Sequence, residues 1–275
     1  MPDFLFDCIP QVFKRLHESD HVVVFLDYDG TLVPFKEKPD DVVTPNGVKT
    51  VLTKLINNKK CTVVIVSGRT LKEIKKLLNI PGLSYAAVHG LQIEFSDGTV
   101  SNWKPAEHIQ ALIKTIKKNL IPILQEEKKI ILEDKELTLA FHYRQVPENR
   151  IKDIKEKFLD IVKKYDTKNS LEILHGAKVI EVRPHGWNKG KAVETFLNNF
   201  IKQANTLSIY IGDDVTDEDA FRCIGELGIT IFVSNNAKRK TNAQYWVKNP
   251  GDVSVFLESL YEKMNQVFFP VDTKL

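Results

Sequence analysis

Residues 22–27 read Val-Val-Val-Phe-Leu-Asp and run straight into Tyr28-Asp29-Gly30-Thr31-Leu32. Val22 to Leu26 leave no polar face, so the run is predicted as a strand buried on both sides, central in a parallel sheet. It ends in an acidic, glycine-containing turn. Outward from it, Thr62–Ser67 (TVVIVS) has the same character, and between the two Val48, Val51, Leu52 and Leu55 recur at helical spacing over Pro45–Asn57. That makes a β-α-β unit. Tyr85–His89 follows a helical TLKEIKKLLN segment, and Leu207–Gly212 and Ile229–Val233 flank a helix beginning near Asp217. Strands interleaved with helices in this way predict an α/β fold with a Rossmann-like, doubly wound parallel sheet.

The stretch 102–184 breaks the rhythm. It predicts a helix over Glu107–Glu126, strands over Ile130–Glu133 and Leu137–Tyr143 turning at Asp134-Lys135, a helix over Pro147–Tyr165, and strands over Leu171–His175 and Val179–Arg183 around His175-Gly176-Ala177. The order α-β-β-α-β-β describes an α+β module large enough for its own core. It is read as a cap inserted at 102–184 into a catalytic core formed by 1–101 and 185–275.

The 275 residues are 43% hydrophobic and 27% charged, which excludes a mainly disordered chain. The formal charge of +3 is too small to suggest a nucleic-acid or polyanionic-membrane binder. A small-molecule partner is expected. Cys8, Cys61 and Cys223 are few and far apart, so neither a disulfide framework nor a thiolate zinc site is indicated. With no basic leader, no long apolar run and no Asn-x-Ser/Thr sequon, a cytoplasmic protein is expected. A monomer is expected too.

Asp27 and Asp29 sit at the carboxyl end of the central strand, in the crevice where open α/β sheets bind ligands. Gly212-Asp213-Asp214-Val215-Thr216-Asp217-Glu218-Asp219 also follows a strand. Thr216 and Asp219 are spaced as a capping box, which leaves Asp213 and Asp214 unexplained. Their mutual repulsion beside Asp27 calls for a divalent cation, and all-oxygen ligation favours Mg²⁺. Ser67-Gly68-Arg69 ends a second strand with a hydroxyl and backbone N–H groups suited to phosphate oxygens. Lys189 opens a helix, against the local preference for acids, which favours an anion-binding role.

In this order the residues resemble the haloacid dehalogenase (HAD) superfamily of phosphotransferases: Asp27-x-Asp29-Gly30-Thr31, Ser67, Lys189 and Gly212-Asp213-Asp214 are similar to its four motifs. The finer pattern resembles the trehalose-6-phosphate phosphatase family. It includes Ser67-Gly68-Arg69, His89-Gly90, His142-Tyr143-Arg144, Gly176 to Pro184, Lys189-Gly190 and Gly212 to Asp219. The resemblance implies a HAD-like core with a substrate-specificity cap. It implies Asp27 as nucleophile, Asp29 as acid and base, and Thr31, Ser67 and Lys189 on the phosphate oxygens. Mg²⁺ is then held by Asp27, the main-chain oxygen of Asp29, Asp213 and, more remotely, Asp214 and Asp217. His89, Gly90, Glu133, Arg144, Lys178 and Glu181 are expected on the sugar phosphate. The glycosyltransferase domain fused to many such relatives has no counterpart in the sequence, so no synthase role is expected.

Two rival readings remain at this level: a phosphatase for another sugar phosphate, such as sucrose phosphate or mannosylphosphoglycerate, and a catalytically silent binding subunit. Asp27, Asp29, Lys189 and Asp213 together argue against silence. His17-Glu18-Ser19-Asp20-His21 matches H-E-x-x-H, but a turn-like pair precedes His21 and a strand follows it, so zinc is not expected there.

Overall fold

The computed structural model describes residues 1–36, 41–103, 107–176, 178–200, 205–236 and 238–268. Two compact units emerge, one formed by 1–102 with 188–275 and one by 103–187.

The first unit opens with β1 (Asp3–Phe4), α1 (Ile9–His17), β2 (His21–Leu26), α2 (Asn46–Ile56), β3 (Cys61–Val66) and α3 (Leu71–Leu78). β4 (Ser84–Ala87), β5 (Gln92–Glu94) and β6 (Val100–Asn102) complete its first half. The second unit contains α4 (Glu107–Glu126), β7 (Ile131–Asp134), β8 (Leu139–His142), α5 (Glu148–Tyr165), β9 (Leu171–Gly176) and β10 (Val179–Pro184). The chain then returns through α6 (Lys189–Phe200), β11 (Thr206–Gly212), α7 (Glu218–Ile224), β12 (Ile229–Val233), β13 (Tyr245–Val247) and α8 (Pro250–Phe268).

The larger sheet has the order β1-β13-β12-β11-β2-β3-β4-β5-β6, parallel from β1 to β4 and antiparallel at β5 and β6. Successive connections run one way through β2, β3 and β4 and the other way through β11 and β12. The strand order therefore reverses between β2 and β11, where open sheets leave a crevice at the carboxyl ends. Alternation along β2 explains the layers. Val22, Val24 and Leu26 face α1, α2, α3 and α8 through Leu16, Leu52, Leu78 and Phe256, whereas Val23 and Phe25 face α6 and α7 through Phe196 and Phe221. All of these side chains are buried, which accounts for the continuous apolar run in the sequence.

In the second unit the sheet order is β7-β8-β10-β9, antiparallel throughout. Leu139, Phe141, Ile180 and Val182 pack on one face against Ile116, Leu120, Phe158 and Val162 of α4 and α5. The expected α-β-β-α-β-β order is present. Its first hairpin turns two residues later than the Asp134-Lys135 pair suggests: Lys135 N donates to Thr138 O, and Glu136 takes a φ of 68°. Ala177, at the tip of the second hairpin, lies outside the described residues.

Two sequence expectations are corrected. The strand placed over Tyr85–His89 ends at Ala87, because Val88 and His89 adopt φ values of 49° and 55° that no strand accommodates. The Thr216–Asp219 capping box is displaced. A short 3-10 turn spans Val215–Asp217, Asp214 N donates to Asp217 Oδ2 at 2.9 Å, and Asp219 pairs with Arg222 instead. Among the described residues, no helix is long and apolar enough to cross a membrane.

Candidate active site

Asp27 follows β2, Ser67 follows β3 and Asp213 follows β11, so three neighbouring parallel strands deliver these residues to one sheet edge at the reversal point. The turn after β2 is tight: Gly30 N donates to Val33 O at 2.8 Å, and Leu32 N donates to Tyr28 O at 3.0 Å. Gly30 has a φ of +87°, and a Cβ there would run into the Asp213 carboxylate. Glycine is required here both for the backbone and for the approach of the two acidic loops.

Lys189, at the start of α6, is buried. Its Nζ donates to Asp27 Oδ1 and to Asp217 Oδ1, each at 2.7 Å. Asp217 is fully buried and also accepts Tyr210 Oη at 2.7 Å, Asp213 N at 3.0 Å and Asp214 N at 2.9 Å. Carboxylate oxygens of Asp27, Asp213 and Asp217 lie within 4.8 Å of one another. Thr31 is buried beside them, its Oγ1 3.4 Å from Asp213 Oδ1.

One ammonium among three carboxylates leaves two negative charges in a buried site. The titration directions reflect that deficit. Burial pushes Asp27 up to about 7, with Lys189 opposing the rise and Asp217 adding to it. Asp213 is pushed up to about 9, first by burial and then by Asp27 and Asp217. Burial alone would lower Lys189, but the charges of Asp217 and Asp27 outweigh it and hold its proton.

The Asp29 carboxylate lies outside the three-carboxylate group. It accepts Arg69 Nε on Oδ2 and Arg69 Nη2 on Oδ1, both at 2.7 Å. Ser67 is buried, and its hydroxyl accepts Arg69 N at 3.2 Å. His89 is buried beneath the same loop, where a Cβ on Gly68 would lie 2.8 Å from the His89 ring. Gly90 continues that turn with a φ of +97°.

The sequence-based site residues thus fall into groups. Asp27, Thr31, Lys189 and Asp213 gather directly, with Asp29 and Ser67 alongside. Asp214 has an exposed side chain outside the three-carboxylate group, and Asp217, which the sequence reading sets further back, is inside it. The signal for Asp217 was its spacing of four from Asp213 across a turn that opens a helix. Tyr210 has no signal in the sequence, because a tyrosine in an apolar strand carries no motif.

In the second unit, the face of the sheet opposite α4 and α5 carries a cluster of charged side chains. Glu133, Ala140 and Glu181 lie side by side on β7, β8 and β10. Lys135, only 7% exposed, stands 3.7 Å from both Glu133 and Glu181, and His142 Nε2 is 3.0 Å from Glu133. Lys135 is an addition to the sequence-based set. Lys178 sits off the strand with a φ of 63° and pairs at 2.8 Å with Glu148, both side chains exposed. Arg144 is half-buried.

The model of the trehalose-phosphatase family matches residues 25–251, a span holding every element of the core site. The chain belongs to that family. Its members are phosphoric monoester hydrolases, and the HAD-like α/β core with an inserted α+β module is the architecture described above. The chain is 34% identical over 266 residues to probable trehalose-phosphate phosphatase E of Arabidopsis thaliana, covering 90% of this chain and 72% of that protein. It is 31% identical over 267 residues to a trehalose-phosphate phosphatase of Mycobacterium ulcerans, covering 94% and 67%. The fold matches the trehalose-6-phosphate phosphatase C-terminal domain of C. albicans with a TM-score of 0.83 at 22% identity, over 95% of this chain and 98% of that one.

Proposed function

We propose that this chain hydrolyses trehalose 6-phosphate to trehalose and phosphate, with Mg²⁺, through a phosphoryl group carried on Asp27. The observation that carries the reading is the charge balance around Asp27: three carboxylates against one lysine, at a sheet edge where Thr31 and Ser67 supply hydroxyls. The all-oxygen donor set fits a hard divalent cation and matches its charge. Asp27, Asp213 and, by family resemblance, the main-chain oxygen of Asp29 would hold it, with Asp217 closing the group and Asp214 adjoining. When bound, Mg²⁺ supplies charge neutralisation between the carboxylate and the phosphate.

In the first step an Asp27 oxygen attacks phosphorus as the bond from phosphorus to the sugar oxygen breaks. Asp29 gives that oxygen its proton. In the second, Asp29 takes a proton from water, the water oxygen attacks phosphorus, and the electron pair of the cleaved bond returns to Asp27. Thr31, Ser67 and Lys189 hold the non-bridging oxygens through both displacements.

The inserted unit is assigned as the cap that recognises the sugar. Glu133, Lys135, His142 and Glu181 combine donors and acceptors on its helix-free face, which suits multiple hydroxyl groups. Among the described residues Lys178 pairs with Glu148 in an exposed ion pair, of the kind worth about 0–1 kcal/mol, so a sugar hydroxyl competes with Glu148 for it. Arg144 belongs to the same set. For His89 and Gly90 the geometry supports a different task, supporting the Ser67–Arg69 loop from below. The reading places a monomer in a reducing cytoplasm, consistent with three unpaired cysteines.

Phosphate release from a panel of sugar phosphates, with Mg²⁺ or with EDTA, tests it. Preferred release from trehalose 6-phosphate that EDTA abolishes is expected. Preference for sucrose phosphate or mannosylphosphoglycerate would move the substrate, and no release from any would make the chain a binding subunit.

A further inference from the structure

Arg69 has no part in the chemistry above, yet it is firmly anchored beside the site. Its carbonyl oxygen accepts Val88 N at 2.8 Å, and two residues earlier Ser67 O accepts His89 N at 2.9 Å. Both donors belong to a left-handed turn, and for a β-branched residue such as Val88 that conformation costs on the order of 1–3 kcal/mol. The contacts that fix this turn also fix the backbone of the Ser67–Arg69 loop. The side chain is held as well. The Arg69 guanidinium carbon lies 5.7 Å from the Tyr28 ring centroid, and the buried Tyr28 hydroxyl is within 2.7 Å of Thr44 Oγ1, which itself donates to Leu77 O at 3.0 Å. The result is a rigid two-pronged donor aimed at Asp29, with 13% exposure on the arginine and 28% on the aspartate.

We propose that Arg69 is a positioning residue that fixes the Asp29 carboxylate as the proton acceptor of the second displacement; this rests on the phosphatase reading. Both Asp29 oxygens accept from the guanidinium, and a planar fork sets the plane and azimuth of the carboxylate as a single bond would not. Held this way, Asp29 keeps its remaining lone pairs for a water molecule. Arg69 therefore sets the direction from which Asp29 meets that water: water loses its proton to Asp29, its oxygen bonds to phosphorus, and the bond from phosphorus to Asp27 breaks toward Asp27.

An aryl phosphate separates the steps, because its leaving group departs without a proton. In rapid-mixing assays with p-nitrophenyl phosphate and Mg²⁺, Arg69→Met should release close to one equivalent of nitrophenolate per active site in a burst. The burst rate should stay near the wild-type rate, followed by a steady state at least ~10-fold slower, as expected for a misplaced general base. Arg69→Lys, which keeps the charge and loses the fork, should recover only part of that rate. Because Arg69 acts through Asp29, Arg69→Met/Asp29→Asn should be no slower than Asp29→Asn alone. Additive losses, equal slowing of burst and steady state, or an unchanged steady state would each overturn the proposal. A variant that melts far below the wild type would also overturn it, by making Arg69 a folding residue. Failure of the phosphatase reading looks different: wild-type protein would turn over neither aryl nor sugar phosphates.

Discussion

Tyr210 donates its hydroxyl to Asp217 Oδ1 at 2.7 Å, the same carboxylate oxygen that receives the Lys189 ammonium, and both Tyr210 and Asp217 are fully buried. The bond ties β11 to the turn after it and steadies the lysine that reaches Asp27. Tyr210→Phe keeps the ring in its stack with Phe25, 6.3 Å between centroids, and removes only this donor. A loss of roughly 1–3 kcal/mol is expected from leaving a buried carboxylate one partner short. Thermal melting of the Tyr210→Phe protein should fall by about 2–4 °C per kcal/mol at this chain length. An unchanged Tm would mean the hydroxyl carries no structural weight.

Asp27→Asn should abolish turnover and leave the fold intact. The amide has nearly the shape of the carboxylate and is a poor nucleophile. It also relieves the excess negative charge around Asp213 and Asp217, so the variant should melt no lower than the wild type without added metal. Circular dichroism with a turnover assay checks both; substantial residual activity would move the nucleophile elsewhere.

The raised Asp27 and Asp213 carboxyls set the sign of a pH effect. Both start from 3.8 and stand at about 7 and about 9 in the fold. Their contribution to metal-free stability is complete below the unfolded value and is lost as pH rises through these two folded values. A divalent cation replaces the protons, so it competes poorly at low pH and well at high pH. The rise in Tm on adding Mg²⁺ should therefore grow from about pH 6 to about pH 9. A shift that is constant or shrinks over this range would place the cation elsewhere.

Removing Glu181 should separate sugar recognition from core chemistry. Glu181→Ala is expected to lower kcat/KM for trehalose 6-phosphate at least ~10-fold, the effect of losing about 1.4 kcal/mol of charge-assisted hydrogen bonding. Hydrolysis of p-nitrophenyl phosphate should change little. Equal loss on both substrates would make Glu181 a structural partner of Lys135 only.

Much of this was legible before any coordinates. The apolar run Val22–Leu26 announced a strand buried on both faces, and acidic or hydroxyl residues just after strands marked the sheet edge that carries the site. What stayed hidden depends on side-chain direction or on strain. The sequence shows that Arg69 follows Ser67 by two residues, but only the fold shows its fork turned onto Asp29. Lys135 looked like a turn residue because the hairpin was expected to reverse there; with the turn later, it lies between two glutamates. Val88 and His89 continue an apolar run that looks like strand, and no pattern rule anticipates a β-branched residue with positive φ. The outer strands β1, β13, β5 and β6, each of two or three residues, are too short for alternation to register.

The most direct measurement is the mass of the protein during turnover. Enzyme quenched in acid while hydrolysing an aryl phosphate with Mg²⁺ should carry one added phosphoryl group, mapped by peptide fragmentation to Asp27. The adduct should be missing with EDTA and in Asp27→Asn, and it should accumulate further in Asp29→Asn, where the water step lacks its base. Sustained turnover with no phosphorylated protein, or an adduct on any residue other than Asp27, would contradict the account.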